Sequence, residues 1–524
     1  MTAAADALVI RDRSGSRIVT PGYRVAVCAA ALLGSLTGSL SATIVNVAVP
    51  DIMGTFGVGQ DQAQWMATAF FAAMTVGMLI TDWLTRAFGP RMVYLIAIGV
   101  FIFGSMVAGL AVDYFIVVLG RSLQGFAAGL LLPVTMLALF MVFRPEQRST
   151  AMGLYGLSFT LGPGIGPWVG GMAVDAFDWR FTFFLVVPIA FIAALVAASA
   201  LPGRDEKAPE RGLDWIGTLL VSVFLAATLT GLSNGQLRGW DSDFVVGLLV
   251  LGLFSIVAFV AWELITPDPI FDVRLLLSPR MAAAAAISGL FGIAMFGSLY
   301  LVPIFLQLVQ SYTPTRAGLA LVPGGIALGV IFPIMGRIGD KVRADLLVAT
   351  GFILFAWTTW QMGLLDAHAA FWTVALLVLV QRVGNAMVFP PLTANALAAL
   401  PPHKIGAANG ILNFTRQGFG AFGINLLAIF LERRSAFYAD ALASTQTESN
   451  PATDDLLARI GELFDAQGFD EMGQGAAATW YLGKVLSHQA TALAFRDTFV
   501  VYAVIASFGI LLALVLRPHR RRPR

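Results

Sequence analysis

Charge and cysteine are both scarce in this chain. Of its 524 residues only 12% are Asp, Glu, Lys or Arg, and Cys28 is the single cysteine. One cysteine excludes an intramolecular disulfide, a CxxC redox centre and a thiolate zinc site. The few charges do not suit the surface of a water-soluble protein of this length, which predicts a different solvent for most of the chain.

Apolar residues take the place of the missing charges. They make up 58% of the chain, and the mean hydropathy is +0.79. About 20 apolar residues span the hydrocarbon core of a bilayer. Fourteen runs of this length predict an all-α polytopic membrane protein with spans at 24–49, 64–83, 93–112, 114–140, 150–174, 180–200, 214–233, 243–263, 281–310, 316–337, 347–364, 371–398, 407–432 and 496–516.

The distribution of basic residues predicts the orientation. With both termini in the cytoplasm, 22 of the 33 Lys and Arg residues lie on the inner side and 8 on the outer side. Positive charge favours the cytoplasmic side of a membrane. An odd number of spans would destroy this asymmetry, so the count of fourteen and the orientation support each other.

The chain also repeats itself. The short segment after the second predicted helix of each block is similar, as TRAFGPRM at 85–92 and GRIGDKVR at 336–343. Two such blocks predict two six-helix halves that rock around a central cavity. The predicted organisation is a cytoplasmic tail at 1–22, a first half at 23–200, two extra helices with linkers at 201–280, a second half at 281–516 with an outer loop at 433–495, and a basic tail at 517–524.

Three arginines lie inside predicted helices, whereas no acidic residue falls in the middle of a span. They are Arg121, Arg382 and Arg416. A buried charge in a membrane needs a partner or water and indicates function. Arg121 and Arg416 are predicted either to gate the cavity or to hold helices together, and a structural role is favoured for Arg382. If one of these arginines faces the cavity without an acidic partner, the cavity is electropositive and favours anionic or neutral amphiphiles over lipophilic cations.

Polar and aromatic side chains at helical positions are candidates for the cavity wall. A promiscuous pocket needs mostly apolar surface with a few groups that orient the ligand. Each candidate is alternatively a hydrogen-bonding contact between helices. The set is Ser41, Asn46, Gln64, Trp65, Gln124, Trp168, Tyr300, Gln307, Asn413 and Gln417.

Several motifs together resemble one known family. The fourth helix carries Arg121, Gln124, Gly125, Gly129 and Pro133, and the fifth carries GLSFTLGPGIGPWVGG from 156 to 171. TIVNVAVP at 43–50, LDWIG at 213–217, RAGLALVPGG at 316–325 and NFTRQGFGAFG at 413–423 match as well. From about residue 24 to 516 the chain resembles the EmrB/QacA type of 14-helix drug:H⁺ antiporters of the major facilitator superfamily.

The resemblance implies a function. We expect the major facilitator fold and secondary active, proton-coupled export of hydrophobic drugs or amphipathic weak acids across a bacterial inner membrane. For a transporter of this type we expect no cofactor beyond the proton gradient and no enzymatic activity. Without a GxxxxGK[ST] loop, ATP-driven transport by this chain alone is not expected. A lipid or fatty-acid translocator with weak coupling is the alternative; a non-transporting scaffold is disfavoured by the repeat.

The fifth-helix motif has a physical interpretation. Its glycines let a neighbouring helix approach closely, while its prolines weaken the helical hydrogen bonds. In the family this implies a gate that seals the outer side, and the alternative is ordinary packing of small residues. The gating candidates from this motif are Gly162, Pro163, Gly166, Pro167 and Gly170.

The sequence departs from the family pattern at the expected proton site. Ser41 stands where many members have an acidic residue, and the loop motif after the second helix is degraded, with Asp82, Arg86 and Pro90 at altered positions. The remaining candidates for a proton carrier are Asp51, Asp82 and Asp340, or the acidic group of the substrate itself.

The long outer loop predicts an element outside the membrane. Its segment 453–467 places Leu456, Leu457, Ile460 and Leu463 on one face of a helix. This helix is predicted either to pack on the outer rim of the protein or to dock the periplasmic adaptor protein that, with an outer-membrane channel, the resemblance implies as a partner.

Overall fold

The computed structural model describes residues 9–11, 17–19, 21–143, 148–204, 212–339, 342–397, 400, 404–446, 450–465 and 471–516. Thirteen spans in these residues are long and apolar enough to cross a membrane. A further helix covers the fifth predicted span, so all fourteen predictions of a helix are confirmed. The helices are α1 Pro21–Ile44, α2 Trp65–Phe88, α3 Pro90–Gly109, α4 Tyr114–Val142, α5 Arg148–Ala176, α6 Val186–Ala200, α7 Trp215–Arg238, α8 Asp243–Ile265, α9 Pro279–Leu308, α10 Pro314–Gly339, α11 Ala344–Gly363, α12 Phe371–Leu397, α13 Ile405–Ala443 and α14 Glu471–Ala513.

Short elements connect these helices. A hairpin of β1 Val9–Arg11 and β2 Arg17–Val19 precedes α1, with Val9 opposite Val19. The other short elements are helical: Val45–Val47, Val49–Phe56, Gln60–Ala63, Phe181–Phe184, Val273–Leu277, Pro451–Asp465 and Leu514–Leu516. We call the side on which α1 ends and α2 begins the outer side, following the orientation that the basic residues predict.

Two helices extend well beyond their predicted spans. The outer loop was predicted at 433–495, but α13 continues to Ala443 and α14 already begins at Glu471. Arg434 and Tyr438 of the α13 extension both contact Asp497 of α14: Arg434 forms an ion pair with it at 2.5 Å, and the Tyr438 hydroxyl donates to its Oδ2. An apolar run stops at the membrane surface, whereas the hydrogen bonds of a helix can continue beyond it. Helix ends predicted from apolar runs therefore lie too close to the membrane.

Two pairs of helices join the two halves. α5 packs against α10, and α2 packs against α13. The sequence repeat equates α2 with α10 and α5 with α13, so the two contacts are equivalent. α7 and α8 pack on each other, and α7 also contacts α2 and α13 beside the seam. The extra helices therefore flank the junction of the halves without separating them.

The α5–α10 contact brings two backbones together. An ideal Cβ on Gly325 would lie 1.9 Å from Gly164 Cα, and one on Gly318 would lie 2.2 Å from the Pro167 carbonyl oxygen. Towards the outer end, a Cβ on Gly171 would lie 2.3 Å from the Pro314 carbonyl oxygen. No larger residue fits at these positions while the halves stay in contact, so this conformation is closed on the outer side.

A methyl group at Gly325 tests the closure. We expect Gly325→Ala to penalise the closed outer side by about 1–3 kcal/mol, because overpacking forces the helices apart. The outward-open population should rise about 5–150-fold. Spin labels at positions 177 and 316, at the outer ends of α5 and α10, measure it. Gly99→Ala on α3 is the matched control, since no atom lies within 4 Å of its ideal Cβ. Identical distance distributions in both variants would contradict the assignment.

The central cavity and the outer gate

The fifth-helix motif has two distinct packing faces on α5. Gly162, Gly166 and Gly170 contact α1: ideal Cβ atoms there would lie 2.3 Å from the Ser39 carbonyl carbon, 2.5 Å from Thr43 Oγ1 and 2.6 Å from the Ile44 carbonyl oxygen. Gly164 and Gly171 instead contact α10 across the two halves. Three of the five predicted gating residues therefore pack within the first half, while the Pro167 carbonyl, next to Gly318, takes part in the contact between halves.

Hydrogen bonds between the halves reinforce this closure. Asn46 Nδ2 donates to the Leu299 carbonyl at 3.0 Å, and Gln307 Nε2 donates to the Val47 carbonyl at 3.0 Å. Gln60 Nε2 donates to the Tyr300 hydroxyl at 2.6 Å. The structure thus places three predicted cavity residues, Asn46, Tyr300 and Gln307, in an outer gate. We use this name for the set of contacts between the halves on the outer side.

A serine of α7 joins the same gate. The Ser233 hydroxyl accepts hydrogen bonds from Gln64 Nε2 of the first half at 2.7 Å and from Asn425 Nδ2 of the second half at 2.6 Å. Gln64 was predicted in the cavity, but Ser233 and Asn425 were missed. A polar triplet between three apolar helices is visible in the sequence only as three isolated polar residues.

Two carboxyl groups from opposite halves also meet at the outer gate. An ideal Cβ on Gly59 would lie 2.7 Å from Asp61 Oδ1 and 3.7 Å from Glu432 Oε1. Asp61 Oδ1 and Glu432 Oε1 are therefore no farther apart than 2.7 Å plus 3.7 Å. Asp61 is 6% exposed. Neither carboxyl group forms an ion pair within the described chain. The sequence showed both residues near the outer boundary, but their proximity depends on how α13 packs against the start of α2.

A small cavity lies on the axis between the halves. It leaves ≈ 20 Å³ for the centre of a water molecule, which is far less than a drug-sized substrate needs. The rings of Phe71 and Phe296 meet in its wall with centroids 4.2 Å apart. Its lining is Gly38, Ser39, Ala42, Thr43, Phe71, Met74, Leu132, Pro163, Met295, Phe296, Leu299 and Gln417.

Gln417 is the predicted wall residue that lines this cavity. Its side chain is fully buried, and neither its amide oxygen nor its amide nitrogen has a hydrogen-bond partner in the described chain. The lining hydroxyls differ, because Ser39 donates to the Leu36 carbonyl and Thr43 donates to the Gly162 carbonyl. The amide of Gln417 is thus available to a ligand.

Arg121 holds three helices of the first half together. Its Nε donates to the Met66 carbonyl at 3.0 Å, and its Nη1 donates to the Ser41 carbonyl and hydroxyl at 3.1 and 3.0 Å and to Gln124 Oε1 at 2.9 Å. The guanidinium also lies 4.2 Å from the centroid of the Phe70 ring. Arg121, Ser41 and Gln124 therefore form a structural network away from the cavity lining.

The other two intramembrane arginines are also outside the cavity lining. Arg416 stacks on Phe389 at 4.2 Å and donates to Asn413 Oδ1 at 2.7 Å. Arg382 is 2% exposed and packs beside Gly324. The cavity lining contains no charged side chain at all. The condition for an electropositive cavity, an arginine that faces it without an acidic partner, is therefore not met by this lining.

The remaining predicted residues lie elsewhere. Asp82 is exposed and forms an ion pair with Arg86 at 2.5 Å. Asp51 lies in the outer helix Val49–Phe56, where desolvation, and next the nearby carboxylate of Asp175, raise the pKa of its side chain. Trp65 and Trp168 are half-buried and outside the cavity lining. Asp340 lies outside the described residues.

Comparison with known proteins gives the family. The sequence model described as Major Facilitator Superfamily matches residues 31–424, which is more than half of the chain. The chain belongs to this superfamily. Its two halves, joined by α5–α10 and α2–α13, are the arrangement that the repeat predicted.

Curated members of the superfamily are similar over most of their length. The multidrug export protein EmrB of Escherichia coli K12 is 29% identical, with 91% of each chain covered. EmrB of Haemophilus influenzae is 30% identical, covering 81% of this chain and 84% of the relative. The fatty acid resistance protein FarB of Neisseria gonorrhoeae is 30% identical over the same shares of the two chains.

Solved structures support the fold. A crystal structure of a POT family transporter in complex with 5-aminolevulinic acid superposes with a TM-score of 0.65 at 12% identity, covering 98% of this chain and 99% of the other. A bacterial homologue of the lysosomal transporter Spinster, in an inward-facing and occupied conformation, gives 0.61 at 15% identity, covering 96% and 100%. The major facilitator fold predicted from the sequence is confirmed.

The structural role of Arg121 is testable. Lysine keeps the charge but cannot reproduce hydrogen bonds to Met66, Ser41 and Gln124 together. We expect Arg121→Lys to destabilise the protein by roughly 2–4 kcal/mol, since buried acceptors lose their donor. Thermal unfolding in detergent, followed by size-exclusion chromatography, measures this. Arg86→Lys, at an exposed ion pair, should stay within about 0.5 kcal/mol of wild type. A wild-type melting temperature for Arg121→Lys would instead favour a gating role.

Proposed function

We propose that this superfamily member is a secondary active exporter that exchanges protons for hydrophobic or amphipathic substrates by alternating access. The observation that carries the proposal is the outer gate, in which the two halves meet around a contracted central cavity. Such a gate has to open and close once in every transport cycle. The similarity to EmrB and FarB supports drugs and amphipathic acids as substrates, and the bacterial relatives support the inner membrane as the location.

The carboxyl pair at the outer gate supports proton coupling. Asp61 belongs to the first half and Glu432 to the second, and closing the gate brings them together with no cationic partner. Two negative charges this close repel strongly in a low dielectric, so the closed gate favours a state in which at least one proton is bound. Tyr114 and Tyr300 bond the residues on either side of Asp61 and bring no positive charge there: the Tyr114 hydroxyl donates to the Gln62 carbonyl at 2.7 Å, and the Tyr300 hydroxyl accepts from Gln60 Nε2 at 2.6 Å.

This arrangement gives the proton a place in the cycle. After the substrate leaves on the outer side, a proton from that side binds the pair and permits the gate to close. Proton entry then drives the return of the empty exporter. A lipid translocator without coupling has no need of such a pair, so the pair favours antiport over the alternative. Among the carriers proposed from the sequence, Asp82 is less suited, because it is exposed and neutralised by Arg86.

Neutral replacements test the coupling. We expect Asp61→Asn and Glu432→Gln to close the gate without a proton, and the double variant to lose at least about tenfold in export driven by a pH gradient, equivalent to ~1.4 kcal/mol. Exchange of substrate for substrate across proteoliposomes should persist, because it does not need the empty return step. Asp82→Asn serves as control and should keep both activities. Full gradient-driven export by the double variant would refute the assignment.

The outer helical extensions support a second part of the proposal, a periplasmic adaptor as partner. The helix Pro451–Asp465 packs on α14 and buries Ile460, which agrees with packing on the protein's own rim. Leu463 of the same helix is 66% exposed and Trp480 of α14 is 65% exposed. The element therefore has one apolar face covered and further apolar groups available to a partner.

Removing this element separates transport from assembly. We expect replacement of 447–469 by a Gly/Ser linker to leave transport in vesicles within about twofold of wild type, because the outer gate lies outside the segment. Resistance of whole cells and co-purification with an adaptor should be lost. A matched variant, Leu463→Ser, should weaken co-purification alone. If the linker variant keeps resistance and adaptor, the element acts only as a lid.

A further inference from the structure

The amide of Gln417 is the unsatisfied polar group of the cavity. Neither its oxygen nor its nitrogen has a hydrogen-bond partner in the described chain, although the surrounding helices leave only a small cavity beside them. Leaving a buried donor or acceptor unpaired costs about 1–3 kcal/mol. Gly420, one turn further along α13, allows the Phe296 ring to approach to 2.3 Å from an ideal Cβ, so Gln417 and Phe296 lie side by side. Packing thus holds the amide against the cavity without supplying a partner.

The chemistry of the lining restricts what can bind there. A primary amide presents one acceptor and two donors. An undissociated carboxylic acid presents a hydroxyl donor and a carbonyl acceptor side by side, and a carboxamide does the same with N–H and carbonyl. Either group pairs with the amide through two hydrogen bonds. A carboxylate ion has no donor and would bring an uncompensated charge into a lining that contains no Asp, Glu, His, Lys, Arg or Tyr.

We propose that Gln417 is the recognition group of the substrate cavity, and that it binds the neutral head group of a carboxylic acid or carboxamide whose apolar body lies along Phe71 and Phe296. This inference rests on the proposed export function and specifies the substrate class. Amphipathic weak acids are bound as the neutral acid and not as the anion. Apolar compounds with an acceptor but no donor are bound less tightly.

A series with one hydrocarbon chain tests the head group. The measurement is binding of radiolabelled decanoic acid to the purified full-length protein in detergent, with decanamide and methyl decanoate as competitors. Wild type should bind the amide about tenfold more tightly than the ester, because the ester has no donor. Affinity for the acid should fall from pH 5 to pH 8 as the acid ionises, with a carboxyl pKa near 4–5, whereas affinity for the amide should not change.

Variants locate the effect. Gln417→Leu should weaken binding of the acid and the amide about tenfold, whereas the ester, which pairs with the amide of Gln417 through its carbonyl alone, should lose less affinity. The remaining ester binding also shows that the variant is folded. Asn385→Leu is the matched control: Asn385 is buried with an unpartnered amide nitrogen but does not line the cavity. Equal affinity of wild type for amide and ester overturns the inference without any variant, as does an unchanged amide-to-ester ratio in Gln417→Leu.

Transport assays distinguish a failure of this inference from a failure of the proposed export function. Wild-type proteoliposomes that export none of these compounds, nor drugs of other classes, in response to a pH gradient would refute the proposed function. Gradient-driven export in which Gln417→Leu and wild type select equally between amide and ester would refute only the role of Gln417.

Discussion

The contact between the α5 and α10 backbones sets the separation of the two halves on the outer side. Because Gly164 and Gly325 have no side chains, the helices approach closely enough for other groups to reach across. The amides of Asn46 and Gln307 bind carbonyl oxygens of the opposite half at 3.0 Å, a distance that a further ångström of separation would make ineffective. The carboxyl groups of Asp61 and Glu432 likewise meet only when this approach is complete. Small residues in one helix pair therefore determine whether the polar gate forms.

The serine at position 41 explains how the first half tolerates a buried arginine without a carboxylate. The Nε and Nη1 atoms of Arg121 donate to carbonyl oxygens of Met66 and Ser41, to the Ser41 hydroxyl and to Gln124, and the guanidinium lies on the face of Phe70, while its Nη2 has no hydrogen-bond partner in the described chain. An acidic residue at position 41 would stand within reach of the guanidinium and combine helix packing with proton binding. With serine there, the packing contact remains and the titratable group is lost. A proton site must then lie elsewhere, which agrees with the carboxyl pair at the outer gate.

The helices and the family were predictable, whereas the roles of single polar residues were not. The helices and their orientation follow from composition averaged over about 20 residues, because the thickness of the bilayer and the position of basic residues determine them directly. Whether Asn46 faces a cavity or a neighbouring carbonyl depends on a helix rotation that hydropathy does not report. Of ten predicted wall residues, Gln417 lines the cavity. The pairing of Asp61 with Glu432 and of Ser233 with Asn425 joins residues more than 190 positions apart, and no local pattern encodes it.

α13 connects the proposed sites of substrate and proton. Gln417, Asn425 and Glu432 follow one another along this helix, and at 1.5 Å per residue Gln417 and Glu432 are roughly 22 Å apart. At about 100° per residue, Asn425 and Glu432 lie within about 80° of Gln417, so all three occupy one side of the helix. A substrate at Gln417 and a proton at Glu432 are too far apart to compete directly. Because α13 is a continuous helix, however, a ligand that tilts it at the cavity also moves Asn425 away from Ser233 and Glu432 away from Asp61. Coupling then arises from the rigidity of one helix, without a shared binding site.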